Sequence, residues 1–215
     1  SMLHVQGQRL SVERAADVMS VLTTTSPNYL LMASLDAARA QVQVRGKEMA
    51  EAAVGAANKL RNVCSKYVGL KLLTEADCGG LKLDATKVTV NFAEWGYTGI
   101  EAGELFRKAG IAVELVDAQN VLFLVTYADV TEDYQEALGK IDKVLAQMEQ
   151  GKKSKEQAVK VQAVPVTEMA LPLREVFYGE KEAVALAESA GKICGEQVSF
   201  YPPGIPVLLL GEIIT

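Results

Sequence analysis

From Pro27 to about Tyr67 the chain carries one long helical pattern, and this stretch constrains the fold more than any other. Tyr29, Leu30, Met32, Ala33, Leu35, Ala37 and Ala38 recur at its start on the spacing of a helix face. About 40 residues of α-helix would span roughly 60 Å, long for one element of a globular protein. Gly46 and Gly55 each weaken it by roughly 1 kcal/mol relative to alanine, so a kink or a break is expected near a glycine. Directly before it stands Thr23-Thr24-Thr25-Ser26-Pro27. Hydroxyl side chains compete for backbone hydrogen bonds and oppose helix continuation. Ser26 suits an N-cap and Pro27 the first helical position, so the helix is expected to begin at Pro27. A shorter helix, Ser11 to Leu22, precedes the run, with Ser11 as its N-cap.

The rest reads as α/β. Residues 68 to 86 are loop-rich, with a turn at Cys78-Gly79-Gly80. Val88 to Phe92 alternates like a strand. Gly99 to Ala109 reads as a helix ended by Gly110. Ile111 to Val116 and Val121 to Tyr127 read as strands joined at Asp117-Ala118-Gln119-Asn120. Thr131 to Gln150 is an amphipathic helix, with Tyr134, Leu138, Ile141, Val144 and Leu145 on its apolar side. Gly151 to Lys160 looks like a solvated linker. Ala183 to Ala190 has helical character. Three prolines and a glycine keep Tyr201 to Pro206 out of a helix, and Val207 to Leu210 reads as a buried strand after it. There is no internal repeat.

Composition excludes several function classes. A formal net charge of −5 and a pI near 5.1 argue against a nucleic-acid binder. The three cysteines, Cys64, Cys78 and Cys194, form no disulfide framework, and a reducing cytoplasm is the simplest setting. Apolar runs such as Val207 to Leu210 are too short to span a bilayer, and the first residues do not read as a signal peptide. The single histidine, His4, and the absence of paired cysteines leave no zinc site; His4 reads as a core or interface residue. No nucleophile-elbow, dinucleotide or P-loop pattern occurs. The feature with most chemistry in it is the hydroxyl run. A helix N-terminus carries unpaired donors and partial positive charge, and beside Thr23, Thr24, Thr25 and Ser26 it is suited to a phosphate. It reads equally as a simple capped turn.

Several stretches, in order, resemble the ornithine/lysine/arginine decarboxylases, pyridoxal-phosphate (PLP) enzymes with the aspartate-aminotransferase-type fold. The strongest is Thr23-Thr24-Thr25-Ser26-Pro27-Asn28-Tyr29 followed by Ala33-Ser34-Leu35-Asp36-Ala37-Ala38-Arg39. Ser1 to Val5, Asp84 with Lys87 and then Gly99, Pro172-Leu173-Arg174-Glu175, Tyr201 to Pro206, and Gly211 to Thr215 add to it. The resemblance covers essentially the whole chain. It implies an α/β C-terminal fragment of a PLP fold-type-I enzyme: a long helix plus a small mixed α/β domain. Residues 1–70 would be the end of the large domain and its connecting helix, 71–150 the small domain, and 151–215 a linker and C-terminal α/β segment.

The resemblance also implies roles. Thr24, with Thr23, Thr25 and Ser26 as neighbours, would reach the PLP phosphate held by the partner subunit of a homodimer or higher homo-oligomer. Tyr201, Pro203 and Gly204 would line the substrate channel for arginine, lysine or ornithine. PLP would act as electron sink while the carboxylate leaves as CO2, giving a polyamine-type amine. The family holds PLP on a lysine that directly follows a histidine, whereas His4 is followed by Val5. The Schiff-base lysine would then lie upstream of Ser1, and no catalytic or metal-binding residue is expected in this chain, which would be inactive alone. A non-enzymatic interaction or regulatory module derived from the family is the alternative; an aminotransferase sharing the fold fits the TTTSPNY and YPPGIP runs less well. Without its neighbours the apolar face of 27–67 would be exposed and the chain would self-associate.

Overall fold

The computed structural model describes residues 2–153, 167–200 and 204–215. The chain divides into two compact units, Ser1–Ala52 and Ala53–Thr215.

The first unit holds α1 (Val12–Leu22) and the first part of α2 (Tyr29–Cys64). Ser11 caps α1 as expected, its side chain accepting from the Arg14 amide. The long helix differs from expectation in two respects. It begins at Tyr29, because Asn28 and not Ser26 is the cap: Asn28 Oδ1 accepts from the Leu30 and Leu31 amides at 3.0 and 3.2 Å. It also runs unbroken through Gly46 and Gly55. The cost of two glycines is offset at its far end, where Ala56, Ala57, Leu60 and Cys64 are buried in the main core. His4 is exposed in this chain rather than lodged in a core.

The second unit carries an antiparallel four-stranded sheet in the order β1 (Lys71–Leu72), β2 (Lys87–Asn91), β4 (Asn120–Leu124), β3 (Leu115–Val116). Alternation decides its faces: Val88 and Val90 pair with Phe123 and Val121, and all four are buried. On this face pack the end of α2, α3 (Gly99–Lys108) through Ala102 and Phe106, and α4 (Tyr134–Gln150) through Leu138, Ile141, Val144, Leu145 and Met148. The Tyr134 hydroxyl donates to the Ala56 carbonyl at 2.7 Å and ties α4 to α2. Edge-to-face contacts link Tyr67 to Trp95, Trp95 to Phe92, Phe92 to Phe106 and Phe106 to Phe123. Trp95 Nε1 donates to the Val68 carbonyl at 2.9 Å. Gly69, at φ +95°, lies so close that a Cβ there would stand 2.9 Å from the indole nitrogen. At the start of α3 a Cβ on Gly99 would collide with the Asn120 carbonyl, so only glycine lets the helix approach the 117–120 turn.

The strand expected over Ile111 to Val116 is only its last two residues, because the Ile111 amide turns back to the Phe106 carbonyl. Gly151 to Lys153 is not free linker. The Lys153 amide donates to the Trp95 carbonyl at 3.0 Å, the Tyr97 hydroxyl to the Gly151 carbonyl at 2.9 Å, and Lys153 Nζ meets Glu101 at 2.6 Å. Residues 154–160 of the expected linker lie outside the described residues.

The last stretch contains α5 (Leu173–Tyr178) and a hairpin of β5 (Val198–Phe200) and β6 (Ile205–Leu208). Only Leu186–Glu188 of the expected helix over 183–190 is helical, as a single 3-10 turn. The strand expected at Val207 to Leu210 starts at Ile205 and is not buried: Val207 is 43% exposed. Residues 211–214 thread between two other segments. The Ala170 amide donates to Gly211, the Cys194 amide to Glu212 and the Gly191 amide to Ile214, while the Ile213 amide donates to Glu168 and the Ile214 amide to Lys192.

Candidate functional site

The hydroxyl run sits between two locked helix ends. At the end of α1 the Thr23 amide and hydroxyl both donate to the Met19 carbonyl, at 2.9 and 2.7 Å. At the start of α2, Asn28 takes two terminal amides with its side chain and the Met32 amide with its carbonyl. Between them the Ser26 amide donates to Thr24 Oγ1 at 3.1 Å, a serine/threonine turn. Residues 23–26 are all exposed.

A count of donors separates the four hydroxyls. The Thr23 proton is committed to Met19. Thr24 Oγ1 accepts from Ser26, which leaves its own proton free to be donated. The hydroxyls of Thr25 and Ser26 make no hydrogen bond among the described residues. The run therefore offers three O–H donors, with Thr24 held by its turn. Because Asn28 consumes the Leu30 and Leu31 amides, an anion here would be met by hydroxyls more than by the bare helix end. Three exposed O–H donors fit one end of a phosphate group; they do not provide a covalent anchor. The first lysine in the chain is Lys47, exposed and 3.9 Å from Glu51. Asp36 and Arg39 pair at 2.7 Å as their spacing predicts, and Arg39 also donates to Gln43.

Of the expected channel residues, Tyr201 and Pro203 lie outside the described residues, and Gly204 is the half-buried turn before β6, at φ +80°. Among the described residues no group of histidine, cysteine and carboxylate side chains is gathered to hold a metal, and no helix is long and apolar enough to cross a membrane. The three cysteines are free thiols, and burial pushes Cys64 up to about 12, with Asp142 adding to the shift. This group is structural: a buried thiol held neutral is a poor nucleophile. Asn28, which sets the register of the hydroxyl run, carried a signal that was open to reading, since asparagine is as good a cap as serine.

Residues 1–82 match the family described as "Orn/Lys/Arg decarboxylase, major domain", and residues 152–215 match "Orn/Lys/Arg decarboxylase, C-terminal domain". The arginine decarboxylases of Bacillus subtilis and Bacillus anthracis are each 33% identical to the chain over its whole length, and that of Halalkalibacterium halodurans is 34% identical. The chain spans 44% of the length of each of these relatives. Among solved structures, the constitutive lysine decarboxylase of E. coli superposes with a TM-score of 0.62 at 19% identity over 98% of this chain and 40% of its own. The lysine decarboxylase of Francisella novicida gives 0.65 at 19% identity over 96% and 40%.

Proposed function

The chain belongs to the Orn/Lys/Arg decarboxylase family, and we propose that it contributes a phosphate anchor and part of the substrate channel to a PLP-dependent decarboxylase of arginine, lysine or ornithine. The observation that carries this reading is the free proton of Thr24, kept available by the Ser26 amide. When bound, PLP supplies the electron sink that lets the carboxylate leave as CO2. Thr24, Thr25 and Ser26 would donate to its phosphate oxygens across a homodimer interface, and Thr23 would only close α1. Tyr201, Pro203 and Gly204 would wall the channel. The Schiff-base lysine is not assigned to this chain, because His4 is followed by Val5. In this reading the chain by itself is inactive, and the assembled enzyme works in the cytoplasm.

The test compares the chain alone with the chain fused behind the preceding part of a relative's major domain. Both receive PLP and each of the three amino acids, and CO2 release is measured. The expected result is turnover by the fusion alone. In the fusion, Thr24→Val should weaken PLP retention about tenfold or more, the usual loss for a hydrogen bond to a charged group. CO2 release by the chain alone, or one stoichiometric lysine trapped by borohydride within it, would overturn the assignment. A fusion that binds PLP but never turns over would favour a regulatory module instead.

A further inference from the structure

The terminal segment contains a cleft that the decarboxylase reading does not use. Its volume is about 950 Å³, near the upper end for small-molecule sites. Val176, Leu186, Val198, Leu208 and Ile214 give it an apolar lining, with the buried Cys194 among them. Around this lining carboxylates outnumber ammonium groups four to two: Glu175, Glu180, Glu182 and Glu196 against Lys181 and Lys192.

The two lysines do not neutralise the rim. Lys192 is occupied by Glu182 at 3.0 Å. Lys181 lays its stem along Gly195 and holds its ammonium group 6.0 Å from the Phe177 ring. Glu175, Glu180 and Glu196 form no ion pair among the described residues. Three uncompensated carboxylates over an apolar lining are complementary to a ligand with several cationic heads on an aliphatic stem. A single diamine would leave one carboxylate unmet and most of the cleft empty.

We propose that this cleft binds a linear aliphatic polyamine with three ammonium groups, its methylenes on the apolar lining and its charges at Glu175, Glu180 and Glu196. The site goes beyond the decarboxylase reading and stands whether or not the assembled protein turns over.

The experiment is an NMR titration of the full chain with spermidine, 1,4-diaminobutane and butylamine, following backbone amides. The expected result is saturable binding with a Kd on the order of 1 mM or below, in the order triamine, diamine, monoamine. Shifts should be confined to residues lining the cleft and should weaken with added salt. The E175Q/E180Q/E196Q variant should bind spermidine about tenfold more weakly, at about two- to threefold for each exposed pair, while the remote Glu136→Gln leaves it unchanged. Leu186→Ser, at a position 88% exposed where folding is safe, should weaken the triamine about twofold through lost apolar contact. Unchanged spermidine affinity in the triple variant, or shifts that map to acidic residues outside the cleft, would overturn the proposal. Because no step measures turnover, failure here leaves the decarboxylase reading standing, and failure of CO2 release leaves the cleft standing.

Discussion

The Tyr67 hydroxyl points at two oxygens of Asp142, the backbone carbonyl and carboxylate Oδ1, each at 2.9 Å. The pair joins the turn after α2 to the middle of α4, and Lys66 adds a looser contact to the same carboxylate at 3.6 Å. Tyr67→Phe should remove the bond while keeping the ring on Trp95. We expect a loss of about 1–2 kcal/mol in urea unfolding, with an unchanged slope. No loss would mean that water replaces the hydroxyl at no cost.

Stability should fall as pH rises from about 9 to 12. Burial pushes Cys64, Tyr67 and Tyr134 up to about 12, and Asp142 reinforces the shift for the first two. The ordinary values are 9.0 for the thiol and 10.0 for the phenols. Above those values the unfolded chain has released protons that the folded chain still holds, so the unfolded state is favoured as pH climbs. The contribution is complete below pH 9 and gone above about 12. Circular dichroism at fixed temperature across this range is the check, and Tyr134→Phe should shift the alkaline midpoint upward relative to its own neutral stability.

Asn28→Ala should fray the start of α2. It removes the acceptor of the Leu30 and Leu31 amides, and loss of such a cap costs typically ~1 kcal/mol. Hydrogen exchange should accelerate at those two amides and leave the Ser26 amide, held by Thr24, nearly unchanged.

Removal of residues 211–215 should open the terminal segment. Their backbone bonds hold Glu168, Ala170, Gly191, Lys192 and Cys194 in place. Limited proteolysis of the truncated chain should cut within 168–200, where the full chain resists. Equal resistance would show that the hairpin and α5 hold that stretch together without the threaded end.

The first unit should drive self-association. Val21, Leu30 and Val44 are each 82% exposed and Tyr29 77%, more apolar surface than a solitary unit commonly displays. Light scattering should show mass rising with concentration, and Leu30→Glu with Val44→Glu should suppress it. A monodisperse monomer at high concentration would contradict this.

Much of the α/β order was readable because burial imposed a period. Val88 and Val90 alternate against Val121 and Phe123, and α4 repeats its apolar positions on one face. Where pairing replaced pattern, reading failed. β1 is two residues long and exists only because Lys71 and Leu72 meet Asn91 and Val90. The expected break in α2 failed because local glycine cost was weighed without the core around Ala57 and Leu60. At the candidate site the hydroxyls were legible, but their protons were not. Thr23 and Thr24 are identical in the sequence, and only their partners, Met19 and Ser26, distinguish the spent donor from the free one.

Trp95 is the only tryptophan in the chain, almost wholly buried at 1% exposure, with its indole nitrogen on Val68 and the Lys152 ammonium 4.7 Å from the ring centre. The small domain thus has a built-in optical reporter. Selective excitation of the indole views the packing where the end of α2, the first sheet loop and the exit of α4 converge, and is blind to events confined to the first unit. An emission maximum that stays blue while α1 and the start of α2 melt would separate the two units' unfolding with light alone.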